Sequence, residues 1–320
     1  MKKIKVLAIL LSNKLLNFLT KLRLFLYYSG VFKIYKVNTF VISIGNISFG
    51  GEGKTPITIK IAENVKKKGV KVAIVLRGYK RKSKEKIAIV SDGKKILKDA
   101  ITSGDEAFLL AKRTKVPVIV GKDRVNACKI AIEKFHPDVI LLDDAFQHFK
   151  IFRDKDIVVV SEKTFNDKIF LRENFYGLFR ADTVILSKVK DKEKLRKFKF
   201  KIKKFFNKDL WYADFFIKSF YSPFSGNYYK KLKFDEVTVF CGIGNPDFFK
   251  SMLIDKGFKI RKFLKYQDHF FYNDKFYTVI NKISLPIITT EKDYVKIDLD
   301  KIKNKNFYVT ILDVKLKKLD

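Results

Sequence analysis

The segment GNISFGGEGKTP, residues 45–56, constrains the fold of this chain more than any other feature. Four of the chain's 15 glycines fall within residues 45–53, after the apolar run Phe40–Ile44 and before Lys54 and Thr55. A strand that enters a glycine-rich loop and leaves it through Lys-Thr at a helix start is typical of a phosphate-binding loop. A purely structural glycine turn is the alternative, and the flanking strand and helix disfavour it.

Each residue type in this loop has a physical role. Glycines let backbone N–H groups approach phosphate oxygens, and the following helix directs its positive dipole end at them. Lys54 supplies a charge to the β- and γ-phosphates, the Thr55 hydroxyl is a ligand for Mg²⁺, and Pro56 fits the first helical turn. The predicted nucleotide-binding residues are Ser48, which stands where the usual pattern has its first glycine, Phe49, Gly50, Gly51, Glu52, Gly53, Lys54 and Thr55.

Short Val- and Ile-rich runs alternate with helical segments after this loop. We expect strands over 71–76, 116–120, 139–142, 156–160 and 182–188, and helices over 57–68, 106–113 and 125–134. This alternation is typical of a parallel sheet with crossover helices. The predicted fold class is therefore α/β, a P-loop NTPase-like core with a mostly parallel sheet, plus a second, smaller α/β domain and an N-terminal amphipathic helix.

The chain has 320 residues, which is long for a single core, so we expect more than one domain. We predict a membrane-associating helix over 1–35, a P-loop core over 36–215, a connector over 216–232 and a smaller α/β domain over 233–320. The last of these begins with the strand and glycine turn VTVFCGIGNP.

The first 36 residues are rich in Leu, Ile and Phe but are interrupted by Lys14, Lys21 and Arg23. No uninterrupted apolar run approaches the roughly 20 residues that a membrane-spanning helix needs. Apolar residues from Leu15 to Leu26 recur at helical spacing beside these basic residues, which is typical of an amphipathic helix in a membrane interface. A helix packed on the protein's own core is the alternative, and the sequence leaves both open.

The charge balance suggests partners without identifying one. The chain has 68 Lys and Arg against 34 Asp and Glu, a formal net charge of +34. Such a surface attracts nucleic acid, anionic lipid or phosphorylated substrates, although a lysine-rich composition explains the excess equally well. No nucleic-acid-binding motif accompanies the charge, so we expect no nucleic-acid partner. Two distant cysteines and three histidines disfavour a disulfide framework, a structural zinc site or a histidine-based metal centre.

Further polar residues follow predicted strands. Asp143 and Asp144 end the apolar run VILLDD, the Walker B pattern for residues that hold Mg²⁺, although carboxylates at a strand end also cap turns. Gln147 and His148 come one turn later, and Tyr79 lies in RGY at the end of the second strand. In open α/β sheets, ligands gather at this carboxyl edge.

The segment TSGDEAF, residues 102–108, places Asp105 at a helix start and has two interpretations. Ser103 and Glu106 have the spacing of a capping box, and Asp105 would then only favour the helix dipole. Alternatively, Asp105 takes part in chemistry. The spacing alone does not favour catalysis.

Taken together, these segments resemble the tetraacyldisaccharide 4'-kinase family. The matching segments follow the family's order over roughly residues 40–300: GNISFGGEGKTP, VLRGYKRK, SGDEAFLLAKRTKVPVIVGKDR, LLDDAFQHFKIFRD, LREN, GIGNP, DH and TEKDYVK. A generic P-loop enzyme would lack the RGY, GDE and DDxxQH set. One departure is NDKIFLREN, residues 166–174, which lacks the family's usual Pro/Gly-containing run.

The resemblance implies a reaction and a cellular location. A kinase of this family transfers the γ-phosphate of MgATP to the 4'-hydroxyl of a tetraacyldisaccharide 1-phosphate in lipid A biosynthesis. The implied cofactors are ATP and Mg²⁺, and the implied substrate is an anionic glycolipid. The implied location is peripheral, at the cytoplasmic face of the bacterial inner membrane, with the N-terminal helix on the membrane surface and no obligate protein partner.

The resemblance also implies roles for individual residues. Asp105 would be the catalytic base, with His269 as its partner from the second domain and Lys54 acting on the phosphates. The Ser48-type loop is usual in the family. The implied metal ligands are Thr55, Asp144 and Asp143. The candidates for nucleotide or substrate contact are Tyr79, Arg124, Gln147, His148, Arg172 and Glu173.

Two other functions remain as alternatives. One is a P-loop GTPase or ATPase of an assembly or signalling type, since LSKVKD, residues 186–191, faintly resembles the guanine-reading NKxD pattern. Ser187 in place of Asn weakens that likeness. The other is a nucleic-acid-binding protein, which only the positive charge favours, and it would show steeply salt-dependent binding.

Overall fold

The computed structural model describes residues 2–166, 171–189 and 191–319. Its strands are β1 Phe40–Gly45, β2 Val72–Leu76, β3 Ile87–Asp92, β4 Pro117–Gly121, β5 Val139–Asp143, β6 Lys155–Ser161, β7 Thr183–Ser187, β8 Asp209–Tyr221, β9 Tyr228–Tyr229, β10 Glu236–Cys241, β11 Lys259–Lys265, β12 Ile287–Thr290 and β13 Phe307–Lys318. Its α-helices are α1 Lys2–Tyr28, α2 Lys54–Lys67, α3 Ala100–Ser103, α4 Asp105–Thr114, α5 Arg124–Phe135, α6 Glu162–Asn166, α7 Lys192–Ile202, α8 Pro246–Asp255, α9 Asp274–Ile280 and α10 Glu291–Tyr294, and 3₁₀ turns cover Phe175–Arg180 and Leu299–Lys301.

The predicted α/β fold class is confirmed, and the strands and helices expected from the glycine loop to residue 188 form close to their predicted bounds. Buried Val and Ile fill these strands, as in β2, where all five residues are buried. The sequence prediction missed β3, which pairs antiparallel with β4 at the edge of the sheet.

One sheet runs through the molecule in the order β11-β10-β12-β13-β8-β7-β6-β1-β5-β2-β4-β3, and β9 pairs with β8. We call β1–β7 with their helices the amino-terminal part, and β10–β12 with theirs the carboxy-terminal part. β8 runs parallel to β7, β13 runs parallel to β12, and β8 and β13 pair antiparallel with each other. This β8–β13 ribbon therefore joins two parallel sheets that run in opposite directions.

The register of the ribbon makes the two carboxyl edges face each other. Ser187, the last residue of β7, lies opposite Ala213. Thr290, the last residue of β12, lies opposite Thr310, which pairs with Phe220. The seven-residue step from 213 to 220 corresponds to about 23 Å of strand. A cleft between the two edges follows from this spacing.

Helix α1 contacts the amino-terminal part through polar side chains. Thr20 Oγ1 donates to the Arg172 carbonyl at 3.0 Å, and Asn17 Oδ1 accepts from the Asn174 N–H at 3.2 Å. Several of its large apolar side chains, Leu15, Phe18, Leu19, Leu22 and Phe25, are exposed. Across the described part of the chain, no helix combines the length and the apolar character needed to cross a bilayer.

Candidate active site

A cavity of about 970 Å³ lies between the amino-terminal and carboxy-terminal parts. One wall consists of the loop after β1 and the residues that follow β2, β5 and β7. The opposite wall consists of residues 243–245, 268–269 and 290–292. Leu16, Thr20 and Arg23 of α1 also line the cavity. It therefore occupies the position that the facing carboxyl edges predict for a ligand.

The glycine loop has the backbone of an anion-binding turn. Gly50, Gly51 and Gly53 have φ angles of 85°, 66° and 86°, which glycine adopts at little cost. Helix α2 begins at Lys54, and no side chain caps its amino terminus at Gly53. The N–H groups of its first turn, next to the cavity, are thus available to an anion.

Ser48 and Glu52 shape the loop from inside. Both side chains are buried, and the Ser48 hydroxyl donates to the Glu52 carboxylate. The Thr164 hydroxyl also donates to that carboxylate, and the Ser161 N–H donates to it at 2.5 Å. Ser48, at the position of the usual first glycine, therefore helps to hold the Glu52 side chain inside the loop. Glu52 ties the loop to β6 and the helix that follows it.

Lys54 and Asp144 form an ion pair at the cavity wall. Lys54 Nζ lies 3.1 Å from Asp144 Oδ1, and the Arg172 guanidinium contacts both Asp144 oxygens at 2.9 and 3.0 Å. Burial alone would raise the pKa of Asp144, but the charges of Lys54 and Arg172 outweigh it and hold that pKa well below its usual range. Asp144 is thus an anion that the structure already pairs with two cations.

Asp143, the neighbouring carboxylate, is in a different environment. It is buried, and its Oδ1 accepts from the Thr58 hydroxyl at 2.9 Å. Burial and the nearby charge of Glu106 raise its pKa to about 7. Among the described residues, no group of three or more His, Cys, Asp or Glu could hold a metal ion. Two carboxylates and the Thr55 hydroxyl suit Mg²⁺, which takes few protein ligands and relies on phosphate and water for the rest.

Asp105 is the first residue of α4 and pairs with His269 from the opposite wall. His269 Nδ1 lies 2.9 Å from both Asp105 oxygens. Asp105 is only 6% exposed and lies behind His269 and Glu106, which line the cavity. Burial would raise the pKa of Asp105, but the hydrogen bond from His269 and the charge of Lys292 outweigh it and lower the pKa to about 2.

The capping-box interpretation of this segment is wrong. Gly104 caps α4 and makes no side-chain hydrogen bond. The Ser103 hydroxyl instead donates to the Asp99 carbonyl at 2.5 Å, and Glu106 Oε1 accepts from Lys292 Nζ at 3.0 Å. Glu106 therefore faces the carboxy-terminal part rather than the start of its own helix.

The other candidate residues divide into two groups. Tyr79, Arg124, Gln147, His148 and Arg172 line the cavity. Glu173 does not: it is buried and accepts from Gln147 Nε2 at 2.6 Å and from Arg180 Nη1 at 2.8 Å. Glu173 therefore lies beneath the residues that form the cavity wall. Of the departing segment NDKIFLREN, residues 167–170 lie outside the described part of the chain.

His148 and Arg124 belong to a desolvated corner of the cavity. Arg124 Nη1 donates to the Asp144 carbonyl at 2.9 Å, which fixes the turn after β5. Burial and the charge of Arg124 lower the pKa of His148 to about 3, so the ring is neutral at physiological pH. Its Nε2 atom has no hydrogen-bond partner within the described residues.

Sequence reasoning missed two lysines at the site. Lys188, after β7, donates to the Gly51 carbonyl of the loop, and burial lowers its pKa to about 8. Lys292, in α10, contacts Glu106, Asp268 and His269. Lys292 lies in TEKDYVK, one of the segments that carry the resemblance, and its place after an apolar strand was the available signal. Its contacts depend on how the two parts of the sheet meet.

Four non-glycine residues of the cavity wall have left-handed backbone. The φ angles of Lys80, Asp144, Lys188 and His269 are 55°, 51°, 55° and 61°. Such conformations cost of order 1–3 kcal/mol each and persist where the surrounding structure enforces them, often at functional sites. Their concentration here supports the assignment of this cavity as the active site.

Comparisons with known proteins agree over nearly the whole chain. The family model for LpxK, tetraacyldisaccharide-1-P 4'-kinase, matches residues 6–320. A tetraacyldisaccharide 4'-kinase of Halothermothrix orenii is 35% identical over 98% of this chain and 90% of its own length, and one of Aquifex aeolicus is 35% identical over 97% and 95%. A crystal structure of Aquifex aeolicus LpxK in complex with ATP has a TM-score of 0.79 at 31% identity and covers 98% of this chain and 95% of its own.

Proposed function

This chain belongs to the tetraacyldisaccharide-1-phosphate 4'-kinase family, and on that premise we propose which of its residues carry the reaction. It is an ATP-dependent lipid A 4'-kinase, which transfers the γ-phosphate of ATP to the 4'-hydroxyl of a tetraacyldisaccharide 1-phosphate. Phosphoryl transfer needs positioning and charge stabilisation more than covalent chemistry. The protein must also take the proton of the acceptor hydroxyl.

Asp105 is the base that takes this proton, and His269 orients it. The observation that carries this assignment is the contact of His269 Nδ1 with both carboxylate oxygens at 2.9 Å, at the wall opposite the phosphate-binding loop. A pKa of about 2 keeps Asp105 ionised at neutral pH, so its oxygens are free of protons and act as acceptors. Asp144 is less suited because it belongs to the residues that would hold Mg²⁺, and a carboxylate in that role is poorly placed to accept the proton.

The amino-terminal part binds the nucleotide. Backbone N–H groups of the glycine loop and of the first turn of α2 surround the triphosphate. Lys54 contacts Asp144 in this structure. When ATP binds, Lys54 contacts the β- and γ-phosphates instead. The residues that would hold Mg²⁺ are Thr55, Asp143 and Asp144. The chemistry that Mg²⁺ would supply there is neutralisation of negative charge on the phosphates.

Helix α1 attaches the protein to the cytoplasmic face of the bacterial inner membrane. Three observations support this: exposed apolar side chains on α1, basic residues beside them, and α1 residues in the cavity wall. An acylated disaccharide keeps its chains in the bilayer, so a cavity that α1 borders can receive the sugar at the surface.

The decisive experiment replaces Asp105 with Asn, which keeps the size of the side chain and removes its basicity. We expect kcat to fall by about 10²- to 10⁴-fold, while ATP binding changes little. Labelled ATP and the disaccharide 1-phosphate lipid in detergent micelles give the rate. Asp99→Asn is the matched control, because Asp99 caps α3 and Asn caps equally well. A normal kcat for Asp105→Asn would refute the role of Asp105.

A further inference from the structure

Two carbonyl oxygens of the phosphate-binding loop are held by the end of β7. The Ser187 hydroxyl donates to the Glu52 carbonyl at 2.8 Å, and Lys188 Nζ donates to the Gly51 carbonyl. Ser187 is the last residue of β7, and β6 lies between β7 and β1 in the sheet. The loop that follows β1 therefore reaches past β6 to bond with the end of β7.

The two side chains that hold the loop are themselves fixed in place. Ser187 is fully buried and lies opposite Ala213 of β8 in the sheet register. A Cβ atom on Gly53 would lie 3.3 Å from Lys188 Cε, so the stem of this lysine packs against the loop backbone. The left-handed φ of Lys188, 55°, is a conformation that persists where the surrounding structure enforces it. Lys188 is thus held against the loop by its stem as well as by its ammonium group.

These contacts determine the direction of two backbone N–H groups. A trans peptide group places its C=O and the N–H of the next residue on opposite sides. The carbonyls of Gly51 and Glu52 bond to residues after and at the end of β7, so the N–H groups of Glu52 and Gly53 point away from β7. Within the described residues, neither N–H group donates to another protein group, and both residues line the cavity. Because unpaired backbone N–H groups are rare in native structures, this pair is suited to an anion in the cavity.

We infer that Ser187 and Lys188 are positioning residues, which hold two loop carbonyls away from the triphosphate so that the N–H groups of the same two peptides face it. A carbonyl oxygen turned towards a phosphate would repel it, whereas an N–H group donates a charge-assisted hydrogen bond to it. This role accounts for Ser187 and Lys188 in the segment LSKVKD without any contact to a guanine base. The inference rests on the proposed binding of ATP by this loop.

The test compares Ser187→Ala and Lys188→Met with the wild type in calorimetric titrations of the full chain. The two probes are ATP and inorganic tripolyphosphate, each with Mg²⁺. We expect each variant to bind both probes about tenfold more weakly, because misdirected N–H groups lose their hydrogen bonds to the charged phosphates. Ser187→Ala is the sharper variant, since it removes one hydrogen bond and no charge. In the kinase assay, KM for ATP should rise by the same factor while KM for the lipid stays the same.

Other roles for these two residues give different results. If Lys188 contacted a phosphate directly and Ser187 only stabilised the fold, Lys188→Met alone would lose affinity. If the two residues contacted the nucleoside, the affinity for ATP would fall and the affinity for tripolyphosphate would not. Either result overturns the inference.

Thr289→Val is the matched control. The buried Thr289 hydroxyl also donates to a backbone carbonyl, that of Phe240, at 3.0 Å, but this bond joins β12 to β10 and does not involve the loop. We expect Thr289→Val to bind both probes like the wild type. Urea unfolding of the three variants separates a change in the loop from a loss of folding.

The same titrations distinguish failure of this inference from failure of the proposed function. A wild type that binds neither probe would refute the nucleotide site and this inference together. A wild type that binds both probes, with Ser187→Ala unchanged, would refute the inference alone. The proposed base is tested separately, by the kcat of Asp105→Asn.

Discussion

At the scale of single residues, the burial of Asp105 as an ion makes stability depend on pH. The carboxylate is 6% exposed and is hydrogen bonded to His269. Its electrostatic partners, His269, Lys292 and Lys296, lie in the carboxy-terminal part of the molecule, so the unfolded chain lacks them. The free energy of unfolding therefore contains a contribution that exists only while Asp105 is ionised.

The sign of this contribution follows from the lowered pKa. Asp105 shifts from 3.8 to about 2 on folding, so the stabilisation is complete above pH 3.8 and is lost as the pH falls towards 2. The shift corresponds to about 2 kcal/mol at neutral pH, and about half of it remains at pH 3. We expect the difference in unfolding free energy between wild type and Asp105→Asn to be larger at pH 6 than at pH 3, as measured by urea titration. A difference that does not change with pH would show that the carboxylate gains nothing from its partners.

The predicted site residues that are easiest to find from the sequence are those whose setting is local, and the structure places them at the cavity. Lys54 and Thr55 follow a glycine loop, and Asp143 and Asp144 end an apolar strand, so the neighbouring residues reveal where they lie. The contacts of Lys292 could not be derived in this way. Its three acceptors come from α4 and from the loop before α9, and only the folded sheet brings them together.

At the scale of secondary-structure elements, α1 has one surface that contacts the rest of the protein and another, exposed surface that we propose binds the membrane. Its polar side chains bond to residues 171–174, whereas Phe18 and Phe25 are 61% and 65% exposed. Exposed aromatic side chains beside basic residues are suited to the headgroup region of a bilayer.

We expect the double variant Phe18→Asp, Phe25→Asp to lose binding to anionic vesicles while its unfolding free energy changes little, because both side chains face solvent. Co-sedimentation with phosphatidylglycerol-containing vesicles is the measurement. Phe200→Asp is the control, since Phe200 is 69% exposed on α7, which also carries several lysines. If the double variant sediments like the wild type, α1 does not attach the protein to the membrane.

The elements that the sequence predicted best are those with a strong local period. β1, β2 and β5 are largely apolar runs in the interior of the sheet. Such runs can be recognised in the sequence whatever the order of the strands in the sheet. β3 was missed because its apolar run, Ile87–Val90, is short and follows a long lysine-rich loop. The antiparallel pairing of β8 with β13 joins residues about a hundred positions apart, which no local pattern encodes.

At the scale of the whole molecule, the β8–β13 ribbon holds two oppositely directed sheets with their carboxyl edges face to face. The division into a core over 36–215 and a domain over 233–320 stays a prediction, because the ribbon belongs to both parts. Cavity residues come from each part, and Glu106 and Lys292 join them across the cleft. Catalysis therefore depends on how closely the two parts approach.

The two parts approach closely where Gly244 meets the phosphate-binding loop. A Cβ atom on Gly244 would lie 2.7 Å from the Gly51 Cα and 2.8 Å from its N, so any side chain there would push the two backbones apart. We expect Gly244→Ala to lower kcat/KM for ATP by about 10²-fold, since a displacement of about 1 Å in a reacting site costs that much. The unfolding free energy should change little, because the clash lies between the parts and not within either core.

Gly257→Asn is the matched control in the same part of the molecule. Gly257 has a φ of 93° and no atom within 4 Å of its virtual Cβ, and Asn tolerates positive φ better than most residues. Its kinetics should stay near those of the wild type. The two variants together distinguish a requirement for close approach at Gly51 from a general sensitivity to glycine replacement. Should Gly244→Ala turn over ATP normally, the contact between these two loops would have to open during the reaction rather than close.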